Sequence, residues 1–305
     1  MSGRDDLRIV SLIPSGTEIV AALGLADRLV GRSHECDFPA GVARLPACTS
    51  PAFETGGASR EIDDRVRALV AKALSIYDLD TATLERLRPT HIVTQDQCAV
   101  CAVELAEVER AVAAMMRCDA RIVSLHPQTL DDVWSDVARV GAALGVDGDA
   151  IAAGLRARVA DIAARAPAEA KSVACIEWAD PLMAAGNWVP EMVRLAGGDD
   201  LLGESGAHSP YIDREALAAA DPDVIVFMPC GYDLARTRAD AEMLARRDGW
   251  QDLRAAEAGE VYVSDGNRYF NRPGPRLVES VEILAEILHA DVFSFGHEGD
   301  GWQRL

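Results

Sequence analysis

Aromatic and basic residues are scarce in this 305-residue sequence. Phe, Trp and Tyr together make up 5% of the chain, and 30 Lys and Arg residues stand against 49 Asp and Glu residues, for a formal net charge of −19. A surface of this sign repels the phosphates of nucleic acids and the headgroups of anionic lipids. Nucleic acid and anionic membrane surfaces are therefore excluded as principal partners.

Long apolar runs are absent too. The N-terminal run LRIVSLIPS (7–15) is too short and too interrupted for the apolar region of a signal peptide, and no cleavage-type sequence follows it. No stretch reaches the roughly 18 apolar residues that a membrane helix needs. From these absences we expect a cytoplasmic protein without membrane insertion.

The sequence also lacks the common motifs of catalysis. It contains no G-x-S-x-G elbow, Walker loop, dinucleotide fingerprint or H-E-x-x-H helix. No set of nucleophile, base and acid can be recognised either. We therefore expect a binding protein and not an enzyme.

What the sequence does contain is an alternation of strand and helix signals. Short β-branched segments end in turn residues and are followed by helical periodicity at 8–15, 28–33, 90–95 and 121–127. Residues from about 130 to 166 are helical without a strand signal, and strands resume at 172–178, 223–229 and 261–265. Such alternation is typical of mostly parallel sheets with helices on both faces.

The chain is long enough for two domains. We predict an α/β fold with two Rossmann-like lobes of mostly parallel sheets, joined by a long spine helix, with a ligand cleft between the lobes. Ligands of open α/β sheets bind at the carboxyl ends of the strands. The predicted boundaries are 1–128 for the N-terminal lobe, 129–168 for the spine, 169–290 for the C-terminal lobe and 291–305 for a loose tail.

Four stretches carry a resemblance to a known family. They are RIVSLIPSGTEIVAALGLADRLVGRSHECDFP (8–39), LERLRPTHIVTQ (84–95), PLMAAGNWVPEMVRLAGGDDLLGE (181–204) and REALAAADPDVIVF (214–227). Their order and spacing resemble the class III, helix-spined substrate-binding proteins that serve ABC importers for vitamin B12 and ferric siderophores. The cobalamin-binding members are the most similar, and the resemblance implies a corrinoid or a related metal-containing ligand.

The chain departs from this family in two respects. The apparent lack of a secretion signal or lipid anchor argues against an ABC permease as partner. The thiols of HEC (34–36), DQCAVC (96–101) and MPCG (228–231) are not what a periplasmic corrinoid binder needs. Both departures suggest a cytoplasmic, cysteine-containing variant of the family.

Four of the seven cysteines follow predicted strand ends. These are Cys36, Cys98, Cys101 and Cys230. Thiolates suit zinc or an iron–sulfur cluster, and two thiols separated by two residues can share one metal. The alternative is that they are small apolar residues buried under loops. A metal or iron–sulfur protein with redox activity is thus the alternative to a corrinoid-binding protein.

Aromatic residues near the same strand ends are candidates for ligand contact. The predicted ligand-binding residues are Tyr77, Trp178, Asn187, Trp188, Tyr211 and Tyr232. Aromatic walls with a few polar groups suit a flat macrocycle such as a corrin ring. Ordinary packing at loop–helix junctions is the alternative. The basic run NRYFNRPGPR (267–276) could bind an anionic group of the ligand, although pairing with carboxylates is the simpler interpretation.

Overall fold

The computed structural model describes residues 6–71, 76–96, 105–114 and 120–305. The chain divides into two compact units. Unit 1 comprises Met1–Pro127 and Asp131–Gly154, and unit 2 comprises Gln128–Leu130 and Leu155–Leu305. Each unit contains a sheet with parallel strands and helices, so the predicted α/β class with two lobes is confirmed.

Unit 1 is built on a four-stranded parallel sheet. The strands of unit 1, inside and outside this sheet, are β1 (Ile9–Ser11), β2 (Leu29–Arg32), β3 (Thr49–Pro51), β4 (Tyr77–Leu79), β5 (His91–Gln95) and β6 (Arg121–Leu125). Its first helices are α1 (Pro14–Ala22), α2 (Ser59–Val70), α3 (Thr81–Leu87) and α4 (Leu105–Ala114). The sheet order is β2-β1-β5-β6, while β3 and β4 form a separate antiparallel pair. The four predicted strands of this lobe are therefore confirmed.

Helix α1 packs closely onto this sheet. It contacts β1, β2 and β5, and its first turn begins with Pro14, whose missing N–H costs nothing at that position. A Cβ on Gly16 would lie 2.7 Å from Val93 Cγ1, so only glycine permits this approach. The loops after β1 and β2 are thereby held next to the carboxyl end of the sheet.

The predicted helical stretch forms two helices. Helix α5 spans Leu130–Leu144 and α6 spans Asp149–Arg165, with the break at the predicted Gly145–Gly148 segment. Gly145 has a φ of +73°, a left-handed conformation that favours glycine and ends α5. That these helices act as a rigid spine stays a prediction. Among the described helices, none combines the length and the apolar character that crossing a membrane would require.

Unit 2 is built on a six-stranded mixed sheet. Its strands are β7 (Lys171–Ala179), β8 (Leu182–Ala184), β9 (Gly198–Asp200), β10 (Val224–Phe227), β11 (Val261–Ser264) and β12 (Trp302–Arg304). Its helices are α7 (Val189–Leu195), α8 (Arg214–Ala220), α9 (Leu234–Ala245), α10 (Arg254–Glu257) and α11 (Leu277–Leu288). The order is β12-β11-β10-β7-β8, and β9 also pairs with β7. Strands β8 and β12 are antiparallel to their neighbours.

The C-terminal segment is not the loose tail that we expected. Its last residues form β12, which pairs with β11, and the buried carboxylate of Glu286 on α11 holds the turn before it. Glu286 accepts hydrogen bonds from the backbone N–H groups of Phe295 and Gly296 and, at 2.8 Å, from the indole of Trp302. A glycine-rich segment carries no periodic signal, so this attachment was not visible in the sequence.

Candidate functional site

The carboxyl end of the unit 2 sheet presents a pair of aromatic rings. Trp178 lies near the end of β7 and Tyr232 lies in the loop after β10, and their ring centroids are 5.0 Å apart at a tilt of 43°. Both side chains are partly exposed. The Trp178 indole N–H donates to the Asp180 carbonyl at 3.1 Å, and the Arg236 guanidinium lies 4.8 Å from the Tyr232 ring centroid. Two predicted ligand-binding residues are thus brought together at one strand edge.

The loops that follow β10 and β11 are joined to each other beneath Tyr232. The Asn267 backbone N–H donates to the Tyr232 carbonyl at 3.0 Å. The Asn271 amide donates to the carbonyls of Met228 at 2.8 Å and Gly266 at 3.0 Å. A Cβ on Gly266 would lie 2.3 Å from the Pro229 carbonyl oxygen, so this approach also requires glycine. The Tyr232 backbone is therefore held in a defined position.

Three other predicted ligand-binding residues, Tyr211, Asn187 and Trp188, lie beside or after the β7–β8 hairpin. Trp178 pairs with Met183 of β8, and Met183 in turn forms a bridge with Tyr211, so Tyr211 is level with Trp178 and is 55% exposed. Asn187 and Trp188 follow β8 where the chain runs back towards the amino end of β7. These two residues follow the hairpin, and Trp188 is bonded to the loop that follows β11.

Trp188 has a packing role in the structure. It is 5% exposed, and its indole N–H donates to the Phe270 carbonyl at 2.8 Å. Asn187 has a φ of +51°, and its backbone N–H donates to the Ala207 carbonyl at 2.6 Å. Asparagine tolerates this left-handed conformation better than most residues. Both positions support the turn before α7, and ligand contact by either stays a prediction.

The basic run at 267–276 is largely neutralised within unit 2. Arg268 pairs with Asp300 at 2.9 Å, and Arg276 pairs with Glu279 at 3.3 Å. Both guanidinium groups also lie over the ring of Tyr269, at 5.2 and 4.7 Å from its centroid. Carboxylate pairing, the simpler interpretation of this run, is therefore confirmed for these two arginines.

The carboxyl end of the unit 1 sheet carries a polar cluster after β2. The His34 ring Nδ1 lies 2.8 Å from Thr49 Oγ1, and the Tyr77 ring packs against His34 with the centroids 5.1 Å apart. The Tyr77 hydroxyl donates to Glu35 Oε1 at 2.8 Å. Burial lowers the pKa of His34, the Glu35 carboxylate raises it and Arg32 lowers it further, with a net downward shift. The predicted ligand residue Tyr77 belongs to this cluster.

His126 and Asp96 were not among the predicted site residues. Asp96 directly follows β5 and His126 directly follows β6, and His126 Nδ1 lies 2.7 Å from Asp96 Oδ1. Since β5 and β6 are parallel neighbours, residues that follow them must meet at one edge. The position of each residue just past a strand signal could have revealed this pair.

Of the four cysteines predicted as metal ligands, Cys36 and Cys230 lie among the described residues, one in each unit. Cys36 is 2% exposed, and its sulfur accepts a hydrogen bond from the Thr17 hydroxyl of α1 at 3.0 Å. Cys230 is exposed in unit 2. Cys98 and Cys101 lie outside the described residues. Within the described ranges, no group of three or more His, Cys, Asp and Glu side chains could hold a metal ion. The hypothesis of a zinc or iron–sulfur centre therefore gains no support.

Comparison with known proteins identifies a family. The model of a periplasmic binding protein family matches residues 9–267. An uncharacterized ABC transporter substrate-binding lipoprotein, YvrC of Bacillus subtilis, is 24% identical over 300 residues, which cover 95% of this chain and 82% of that protein. The vitamin B12-binding protein of Vibrio cholerae is 23% identical over 287 residues, covering 92% and 88%.

Solved structures show the same fold at low sequence identity. The periplasmic vitamin B12-binding protein BtuF of Vibrio cholerae superimposes with a TM-score of 0.63 at 20% identity, covering 93% of this chain and 96% of that one. A periplasmic heme-binding protein from Pseudomonas aeruginosa gives a TM-score of 0.68 at 23% identity, covering 93% of each chain.

These findings revise part of the sequence-based interpretation. The relatives are described as a lipoprotein or as periplasmic, so they do not support a cytoplasmic, cysteine-containing variant. The redox-active metal protein, offered above as the alternative, is likewise unsupported. The chain belongs to the periplasmic binding protein family, a family of solute-binding proteins and not of enzymes.

Proposed function

We propose that this chain is the solute-binding component of an ABC importer and that its solute is a corrinoid. The relatives support both parts, since one is a substrate-binding lipoprotein of an ABC transporter and another binds vitamin B12. An ABC permease, which the sequence alone argued against, thus becomes the proposed partner. The same relatives favour action outside the cytoplasm, contrary to the initial expectation.

The Trp178–Tyr232 pair is the observation that carries the corrinoid proposal. Both rings are partly exposed at the carboxyl end of parallel strands, where ligands of open α/β sheets bind. The indole N–H of Trp178 is already bonded to the chain, which leaves the ring to contribute apolar surface. Such surface suits a flat macrocycle with apolar faces.

Heme is the second candidate solute, because it is also a flat macrocycle and a heme-binding protein shares the fold. That resemblance concerns the fold alone. The curated relative with a named ligand binds vitamin B12, and this favours the corrinoid.

Calorimetric titration with cyanocobalamin, dicyanocobinamide and hemin tests the proposal. We expect a corrinoid to bind, and Trp178→Ala to weaken binding by about 1–3 kcal/mol, roughly 5- to 150-fold, as the loss of a stacking surface does. Phe295→Ala is the control, since Phe295 is an exposed aromatic residue (38%) of the C-terminal segment. Binding of hemin without binding of a corrinoid would show that the solute is heme and not a corrinoid. Unchanged affinity in Trp178→Ala would show that the Trp178–Tyr232 pair does not contact the solute.

A further inference from the structure

Unit 2 contains a cavity whose lining residues include neither Trp178 nor Tyr232. Its volume is about 220 Å³, and its walls are formed by β8, α8, the end of α9 and the turn that follows α9. Five of the lining side chains belong to the buried core of unit 2 and are at most 7% exposed: Leu182, Leu217, Leu244, Trp250 and Leu253. Because these side chains are packed in the core, they give the cavity a fixed apolar floor.

Two side chains of opposite charge stand next to each other in the wall of this cavity. Arg214 and Glu215 are the first residues of α8, and both are exposed and line the cavity. Residues one position apart on a helix do not face each other, so these two do not form a pair. Within the described part of the chain, neither side chain has a hydrogen bond or an ion pair. Both charges are therefore available to a ligand.

The other cation of the wall, Arg247, is already neutralised. Its Nη2 lies 3.2 Å from Asp180 Oδ2. Gly249 keeps one edge of the cavity open, because it has no side chain and its φ of +78° favours glycine. A Cβ at this position would have no neighbour nearer than Arg214 Nη2, at 3.8 Å. The cavity thus combines an apolar floor with a cation and an anion that the described residues do not neutralise.

The lining of the cavity is complementary to an α-amino acid with a large apolar side chain. A guanidinium binds a carboxylate through two parallel hydrogen bonds, and a carboxylate accepts hydrogen bonds from an ammonium group. A branched or aromatic side chain of the ligand would cover the apolar floor. An apolar cavity of about 150 Å³ can hold benzene, so the larger cavity of unit 2 has room for one such side chain and a small charged head group.

We propose that this cavity binds a free apolar α-amino acid, such as leucine or phenylalanine, as a second ligand of the protein. Arg214 holds the carboxylate of the amino acid, Glu215 holds its ammonium group, and its side chain packs against Trp250. The cavity is smaller than the roughly 300–1,000 Å³ of sites for drug-sized molecules, so it does not hold a corrin ring. This second site is therefore separate from the solute site and independent of the proposed function.

Trp250 provides a direct probe of binding. Its indole N–H signal in a ¹H–¹⁵N spectrum of the labelled protein is identified by its absence from the spectrum of Trp250→Phe. We expect L-leucine and L-phenylalanine to shift this signal until it saturates, and glycine, which has the same charges but no side chain, to leave it in place. Leucinol lacks the carboxylate and 4-methylpentanoate lacks the ammonium group, so each should bind at least about tenfold more weakly than L-leucine, as the loss of a charged hydrogen bond predicts.

Arg214→Gln and Glu215→Gln test the two charges in the protein. Each is expected to weaken leucine binding at least about tenfold, because it removes one partner of an ion pair in the complex. Arg246→Gln and Glu242→Gln are the matched controls, since these exposed side chains pair with each other at 3.9 Å and do not line the cavity. Ala218→Leu should abolish binding by filling the cavity, which Ala218 also lines. Thermal melts verify that each variant retains the fold.

A Trp250 signal that moves with neither amino acid would overturn the proposal. Binding of leucinol or 4-methylpentanoate as tightly as L-leucine would also overturn it, and so would unchanged leucine affinity in either Arg214→Gln or Glu215→Gln. The comparison of ligands uses the wild-type protein, so it is decisive even where a variant fails to fold. None of these outcomes changes the corrinoid proposal, which the titrations with corrinoids and Trp178→Ala test separately.

Discussion

His297 Nε2 lies 3.0 Å from Glu282 Oε2, and Arg158 donates to the other oxygen of the same carboxylate at 2.6 Å. The hydrogen bond to Glu282 raises the pKa of His297, burial opposes this, and the Glu286 carboxylate adds to the rise. Burial alone would raise the pKa of Glu282, but the bonds from His297 and Arg158 bring it below its usual value. The pair joins α11 to the C-terminal segment.

The stability that His297 contributes should therefore depend on pH. Because its pKa is raised on folding, the contribution is complete below about pH 6.5, the unfolded value, and is lost as the pH rises through the folded value. The lowered pKa of Glu282 means that its contribution is present above about pH 4.3 and is lost as the pH falls through its folded value.

We expect His297→Gln to lower the free energy of unfolding by about 1–3 kcal/mol between roughly pH 5 and 6.5, as loss of a charged hydrogen bond does, and by less near pH 9. Denaturant unfolding of both proteins across this range measures the difference. A difference that stays constant with pH would show that His297 is not charged in the folded protein.

Trp178 and Trp188 should respond in opposite ways to truncation. Trp188 is buried with its indole bonded to Phe270, so Trp188→Ala should cost about 3–5 kcal/mol of stability. Trp178→Ala, at a partly exposed position, should cost much less stability and act mainly on ligand affinity. Chemical denaturation combined with calorimetric titration distinguishes the two effects. Equal loss of stability in both variants would refute the assignment.

Gly266 and Gly154 form a second contrasting pair. Gly266→Ala would place its Cβ 2.3 Å from the Pro229 carbonyl oxygen, and we expect a loss of about 1–3 kcal/mol from the forced displacement. A Cβ on Gly154 in α6 would meet nothing within 4 Å, so Gly154→Ala should gain about 0.5–1 kcal/mol through helix propensity. Thermal or denaturant unfolding measures both changes in stability. If Gly266→Ala left the free energy of unfolding unchanged, the loops after β10 and β11 would be able to move apart without cost.

The described cysteines should differ widely in reactivity. Burial raises the pKa of Cys48 to about 11, and burial likewise raises the pKa of the fully buried Cys175 well above its ordinary value. Cys230 is exposed. Because the thiolate is the reactive form, iodoacetamide at neutral pH should label Cys230 first and leave Cys48 and Cys175 unmodified in the folded protein. Peptide mapping by mass spectrometry over time measures the order, and early labelling of Cys175 would contradict it.

The parts of the fold that were predictable are those with strong local signals. Strands β1, β2, β5, β6, β7, β10 and β11 are buried β-branched segments bounded by turns, and their sequence patterns identified them. Strands β3, β4, β8, β9 and β12 are short segments without a run of β-branched residues, so they carry no strand signal. They exist because neighbouring strands offer unpaired backbone groups, which no local sequence pattern reveals.

The arrangement of the candidate site residues was likewise predictable only in part. The sequence pattern places Trp178, Tyr232 and His34 at or just after strand ends, and the carboxyl ends of parallel strands share one edge of their sheet. That Trp188 is buried with its indole bonded to the Phe270 carbonyl was decided by tertiary contact between residues 82 positions apart. The surroundings of His34 were likewise decided by tertiary contact, because Thr49, fifteen residues away, lies 2.8 Å from its Nδ1. The sequence alone therefore determined which residues stand at strand ends, and the tertiary structure decided which of them are brought together and which are buried in packing.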